Sequence, residues 1–299
     1  MSFSRWRDTG LRLAFGEHSI FYQRHGEGAT ALLLIHGFPT ASWDWEPLWP
    51  DLCKHFDHVV APDLLGFGFS DKPTGHRYSL LEQADLCETL LASLGVERVH
   101  ILAHNYGVSV AQELLARFNE REAASAGQAR PQLVSVALLN GGLFPEAHHP
   151  RLTQRLLKSP LGPLIARLTT ERRFGKTFSK IFGRQTRPSA IELHDFWTLI
   201  ATNSGQRVMP RLIRYLDERR EHRERWVAAL TETKVPLRLI NGPEDPVSGA
   251  DMVRRYEALV PNPDVVALPG IGHYPQIEAA DRTLRAFLEF HRKRVQQQG

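Results

Sequence analysis

The sequence predicts an α/β fold: a mostly parallel sheet flanked by helices, with a helical cap inserted late in the chain. Three observations carry this reading. Short, continuous apolar runs recur at intervals that leave room for helices between them. One run leads into the tight sequence Ala103-His104-Asn105-Tyr106-Gly107, and residues 144–232 show helical periodicity with no strand-like run. Continuous apolar runs alternating with helical periods are what parallel strands covered on both faces require.

Taken in order, Leu11–Phe15 and Ser19–Arg24, joined around Gly16-Glu17, read as an opening hairpin. Ala31–Ile35, His58–Ala61, Val99–Leu102 and Leu133–Leu139 follow as core strands, and Leu237–Ile240 and Val265–Leu268 complete the sheet. Between the fourth and fifth of these six runs, Leu212, Ile213, Leu216, Trp226 and Leu230 keep helical spacing. The edges of that insertion fall near Phe144-Pro145 and Val235-Pro236. The chain therefore divides into a core of residues 1–143 and 233–299 and a cap of residues 144–232. Gln296-Gln297-Gln298-Gly299 reads as a loose tail.

With 299 residues, 42% apolar and 23% charged, the chain can bury a large core. No apolar run approaches the roughly eighteen residues of a membrane span, and the first residues lack the apolar centre of a signal peptide. Cys53 and Cys87 have no redox or metal spacing, so the expectation is two reduced thiols in a cytoplasmic protein. The net charge of +4 is uneven: residues 144–232 hold 17 Lys and Arg against 9 Asp and Glu. Arg219 to Arg225 interleave both signs, which favours a solvated helix face over a nucleic-acid surface. The carboxylates and histidines show no ligand-like spacing, so no cofactor and no metal are implied.

Residues 103–107 have the pattern small-x-nucleophile-x-small of a strand-to-helix elbow. The turn leaves no room for large side chains two positions either side of its apex, and Ala103 and Gly107 meet that need. The apex is Asn105, and an amide is a poor nucleophile. Asp245, in Asn241-Gly242-Pro243-Glu244-Asp245-Pro246, and His273, in Gly270-Ile271-Gly272-His273-Tyr274-Pro275, follow the last two strands. Catalytic groups gather at the carboxyl ends of strands in open α/β sheets, and the order nucleophile position, acid, histidine is that of the α/β-hydrolase triad. Glu244 is the alternative acid beside Asp245. Phe38, after His36-Gly37, and Tyr106 would each offer a backbone N–H to an oxyanion hole. The glycine-rich Asp63–Pro73 segment lacks the Gly-Lys-Ser/Thr ending of a phosphate loop and reads as structural; Ser70 is at no elbow apex and is not a nucleophile.

His36-Gly37-Phe38-Pro39, the Asp63–Pro73 segment, the elbow and Gly272-His273-Tyr274-Pro275 together resemble the epoxide hydrolase and haloalkane dehalogenase branch of the α/β hydrolases. Ala111-Gln112-Glu113-Leu114-Leu115, the Asn140–Glu146 stretch, Tyr215 and Arg225-Trp226-Val227 narrow the likeness to the mesoderm-specific transcript group and its bacterial relatives. The resemblance implies an elbow aspartate that forms an ester with a small apolar substrate, which a histidine-activated water then hydrolyses. Asn105 departs from it, as an inactivated or trapping variant or a natural departure. Dehalogenases commonly place Trp after the nucleophile; Tyr106 stands here. Epoxide hydrolases aim cap tyrosines at the epoxide oxygen. Tyr215 suits one such role, and Trp197 or His194 stands in for the missing second tyrosine. Epoxide hydrolysis is the first expectation, dehalogenation the second, and a non-catalytic binding protein on the same fold the third. Neither nucleic acid nor a membrane span is expected.

Overall fold

A computed structural model describes residues 1–125 and 131–298. Eight strands form one sheet: β1 (Leu11–Phe15), β2 (His18–Gly26), β3 (Thr30–Ile35), β4 (His58–Pro62), β5 (Arg98–Asn105), β6 (Gln132–Gly141), β7 (Leu237–Asn241) and β8 (Val265–Ala267). Their order across the sheet is β1-β2-β4-β3-β5-β6-β7-β8. The hairpin β1–β2 joins β4 antiparallel, and every pairing from β4 through β8 is parallel. All eight expected runs are strands.

The reason is burial on both faces. Along β3, Leu33 and Ile35 enter one apolar core while Leu32 and Leu34 enter the other, and β6 alternates likewise with Val136 and Leu138 against Ala137 and Leu139. A strand with water on neither side has no polar positions to alternate. The runs of β5 and β6 extend further than apolarity suggested, to Asn105 and Gly141, because their polar ends remain in the sheet ladder.

Between β6 and β7 the described residues form helices and short 3-10 turns with no strand; the longest are Glu171–Phe178, Ala190–Ala201 and Arg223–Thr231. Two features depart from expectation. Phe3–Thr9 is a helix, capped by the Ser2 side chain, whose Trp6 is fully buried with its ring 5.0 Å from Trp49. The C-terminal helix Ala280–Gln298 continues through the segment expected to be a loose tail, of which Gly299 lies outside the described residues. Among the described residues no helix is long and apolar enough to cross a membrane.

Strand order reverses at β3, which lies between β4 and β5. In open α/β sheets a crevice opens at the carboxyl ends of the strands flanking such a point. The elbow closes one side of it: a Cβ on Gly107 would lie 2.4 Å from the Ile35 carbonyl oxygen and 2.7 Å from that of His36. Neither is a flexible group, so the helix could accept a methyl there only by moving away from β3. Gly107→Ala is therefore expected to lower stability by about 1–3 kcal/mol, as overpacking does, read as an earlier urea midpoint with an unchanged slope.

Candidate active site

Asn105 ends β5 and the helix Tyr106–Ser125 begins at the next residue, so one position absorbs the change from strand to helix. It does so at φ = +50°, a left-handed conformation that asparagine tolerates better than most residues. A Cβ on Gly37 would lie 2.7 Å from the Asn105 Cβ, so the loop after β3 approaches the apex only because residue 37 is glycine.

The apex side chain is held at both ends. The Phe38 N–H donates to Asn105 Oδ1 at 3.0 Å, and Asn105 Nδ2 donates to His273 Nε2 at 2.6 Å. An amide nitrogen can only donate, so Nε2 is the accepting ring nitrogen and the proton sits on Nδ1. Nδ1 donates that proton to Asp245 Oδ2, with 2.6 Å between nitrogen and oxygen. The carboxylate is fixed in turn by the N–H groups of Val247 (2.8 Å) and Ser248 (3.0 Å), the Ser248 hydroxyl (2.7 Å) and Asn140 Nδ2 (3.0 Å). Burial pushes the Asp245 carboxyl up, but the His273 ring and these donors outweigh it and bring its pKa to about 2. Asn105, Asp245 and His273 are all buried. Glu244 is exposed and takes no part.

Of the two expected oxyanion donors, only Phe38 bonds the apex amide; among the described residues the Tyr106 N–H makes no such bond. Nδ2 is drawn to His273, which turns Oδ1 toward the loop after β3. The Asp63–Pro73 segment is structural, as expected. Asp63 accepts the N–H groups of Ser42 and Phe69, and the Ser70 hydroxyl donates to the Asp63 carbonyl.

Asn105 and His273 open into a cavity of about 220 Å³ whose walls are largely apolar, with Leu157, Ile165, Phe174 and Phe178 prominent. Gln154 also lines it, and its Oε1 accepts the Arg151 N–H. Tyr215 is buried against Tyr106 and Phe38, with ring centroids 5.0 and 5.9 Å away, and its hydroxyl has no hydrogen-bond partner. Trp197 is not brought to the site: it is half-buried and packs on the far side of Phe174, 5.8 Å away. His194 is exposed and bonds Glu171 at 2.9 Å. Neither replaces a second tyrosine, because the helix carrying them turns that face away from the cavity.

The residue that sequence reasoning missed is Arg219. Alternating charge along 219–225 reads as a solvated face, yet Arg219 is 2% exposed. Its Nε donates to Ser109 Oγ at 2.7 Å and one terminal nitrogen to the Asn105 carbonyl at 2.8 Å, while the guanidinium lies 4.5 Å from the Tyr215 ring centre. No carboxylate pairs with it among the described residues. A guanidinium stays protonated even there, so it sets a positive potential beneath the elbow. His148 lies beside it, and burial, then the Arg219 charge, push that ring down to about 3. The stretches that carried the resemblance form a second tie. Glu113 accepts from Trp226 Nε1 (2.8 Å) and Arg225 Nε (2.9 Å), joining the insertion to the helix behind the elbow.

Two outcomes follow. Arg219→Met strips the Asn105 carbonyl and the Ser109 hydroxyl of their donor and should cost about 1–3 kcal/mol in chemical denaturation. For Asp245, a folded pKa of about 2 lies below the ordinary carboxylate value. Its contribution, on the order of 2 kcal/mol, is present above about pH 4 and disappears as pH falls through about 2. Stability measured from neutral to acid pH should therefore fall less steeply in Asp245→Asn than in the parent, from a lower starting value. Parallel curves would place the acid-labile carboxylate elsewhere.

The family model described as alpha/beta hydrolase fold matches residues 30–280. The chain is 40% identical to the mesoderm-specific transcript homolog protein of Bos taurus over 295 residues, covering 95% of this chain and 86% of that one. It is 41% identical to the protein LipZ of Mycobacterium tuberculosis, covering 93% and 94%. Among solved structures, epoxide hydrolase CorEH superposes with a TM-score of 0.75 at 17% identity, covering 94% of this chain and 98% of that one. A haloalkane dehalogenase DbeA loop variant from Bradyrhizobium elkanii gives 0.78 at 22%, covering 97% and 98%. Sequence and sheet topology agree, and the chain belongs to the alpha/beta hydrolase fold family.

Proposed function

We propose that this chain is a hydrolase site of the epoxide hydrolase type in which Asn105 occupies the place of the nucleophile, closed over by residues 144–232 as a cap on a core of residues 1–143 and 233–299. The single observation that carries the reading is the position of the Asn105 amide, suspended between the Phe38 N–H and His273 Nε2 at the floor of an apolar cavity. A carboxylate of the same shape in that place would attack an epoxide carbon and form an ester, as the ring C–O bond breaks and the departing oxygen takes a proton. Gln154, on the cavity wall, and Tyr215, buried behind that wall against Tyr106 and Phe38, are the candidate donors for that proton. In the second step His273 Nε2 takes a proton from water as the water oxygen attacks the ester carbonyl, and Asp245 stabilises the imidazolium. The bond from the carbonyl carbon to the substrate oxygen then breaks, and the departing diol oxygen takes the proton back from His273, which restores the carboxylate. The Phe38 and Tyr106 N–H groups face the charge that develops then; a donor unused by the ground-state amide is consistent with that task.

With an amide at the apex the first step lacks its nucleophile, so the chain as it stands binds substrate and turns it over poorly, if at all. Haloalkane dehalogenation is the second reading. It is less well supported because no Trp lines the cavity and the side chains of Phe38 and Tyr106 supply no N–H for a halide. Cys53 and Cys87 are unpaired, which suits a reducing cytoplasm.

The test is a product screen of the Asn105→Asp variant against epoxides, haloalkanes and short esters. Diol formation from epoxides supports the proposal; halide release in its place moves the assignment to dehalogenation. Silence on all three, with ligands still bound, leaves a binding protein. Adding His273→Gln to that variant should preserve alkylation and block deacylation, leaving a protein heavier by one substrate in intact-mass spectra. Steady turnover by the double variant would refute the role given to His273.

A further inference from the structure

Residues 151–187 contain ten Lys and Arg against one acidic residue, Glu171. Among the described residues Lys158, bonded to Asp217, is the only one of the ten in an ion pair with a carboxylate. A basic face is ordinarily soluble and unremarked. This one also carries most of the exposed large apolar side chains: Leu152 (70% exposed), Leu156, Leu161 (62%), Leu164 and Leu168.

Local geometry places them together. Leu152 and Leu156 are four apart on the helix Leu152–Lys158, and Leu164 and Leu168 are four apart on Gly162–Leu168. The two helices pack on one another, and each turns its other side inward through Leu157 and Ala166. Leu161 lies at the turn between them. In the next helix, Glu171–Phe178, Phe174 and Phe178 face the cavity while Arg172 and Lys176 face out. Thr153, Leu156 and Arg173 are exposed and also line the cavity, so the cavity opens through this surface.

We propose that this face docks on an anionic phospholipid bilayer, with the leucines seated at the boundary between headgroups and acyl chains and the cations at headgroup level. Short helices with protruding apolar residues rimmed by Lys and Arg lie in an interface rather than across it, and each cation near an anionic leaflet adds attraction that dies away within a Debye length. A second copy of this chain is a poor occupant, because a two-fold contact sets the basic face against itself. Docking does not depend on the reaction in the cavity; lipophilic substrate entering from the bilayer is a corollary that rests on the hydrolase reading.

The experiment is sedimentation of the full chain with phosphatidylcholine vesicles, with and without phosphatidylglycerol, alongside sedimentation velocity without lipid. Binding to the anionic vesicles should exceed that to neutral ones at least about tenfold and weaken with added salt. Leu152→Ser/Leu164→Ser/Leu168→Ser and, separately, Arg172→Glu/Lys176→Glu should each reduce it by at least about tenfold. These side chains are exposed, so both variants should keep the parent's circular dichroism and melting. No binding, or equal binding to both lipids, overturns the proposal. So does parent-like binding by both variants, which would locate the contact elsewhere. A lipid-free dimer that the leucine variant breaks would make this face a self-interface instead.

Discussion

The left-handed backbone of Asn105 is the constraint on which the site depends. One residue ends a central strand, begins the helix behind it and lifts its side chain clear of the sheet. That conformation is unfavourable by itself and persists only when its surroundings over-determine it. Here they do so from three sides: Gly37 permits close approach of the β3 loop, Gly107 fits against the β3 carbonyls, and Arg219 binds the Asn105 carbonyl. With the backbone so held, the amide has one orientation that satisfies Phe38 and His273 together. A small rotation of the elbow would break both contacts.

Arg219 also explains how the helical segment after β6 and the sheet come to act on one another. A buried guanidinium without a carboxylate is costly, and in most folds it would be paired. Its remaining satisfaction comes from a backbone oxygen, a hydroxyl and an aromatic face. The segment is joined to the rest at further points, among them Glu113 with Trp226, the His273 N–H, which donates to the Ile181 carbonyl, and Lys72, whose ammonium donates to the carbonyls of Leu199 and Thr202. Directional bonds fix its placement in a way that apolar packing alone would not, and so fix the cavity between them. An unpaired positive charge beneath the apex favours negative charge there, which suits a carboxylate or an oxyanion better than the amide present.

The outer side of the same segment follows different rules. Its charges near residues 219–225 find partners: Arg223 bonds Glu146 and Arg225 bonds Glu113 and Glu120. Of the ten cations in residues 151–187, only Lys158 forms an ion pair among the described residues. One net basic count over the whole segment therefore joined two surfaces of different character, an ion-paired flank and an unpaired, leucine-bearing rim around the cavity mouth.

Sheet, elbow and polar loops were legible in the chain because each rests on local rules: burial on both faces writes a continuous apolar run, and a tight turn writes small residues two either side of its apex. For Asp245 and His273 the signal was chain order after strands, and the choice of Asp245 over Glu244 followed from the need for a short, fixed carboxylate. Facing direction on a helix packed over the site was not legible. Trp197 and Arg219 both lie on periodic helices, and periodicity says which residues share a face without saying what that face meets. Tertiary packing turned Trp197 away from the cavity and Arg219 in beneath the elbow, where it donates to the Asn105 carbonyl. The sequence by itself determined the fold, the order of the polar groups and the amide at the apex. The tertiary structure decided which side chains surround that amide, because contacts between distant segments depend on how helices are rotated and docked, and neither quantity is written in local spacing.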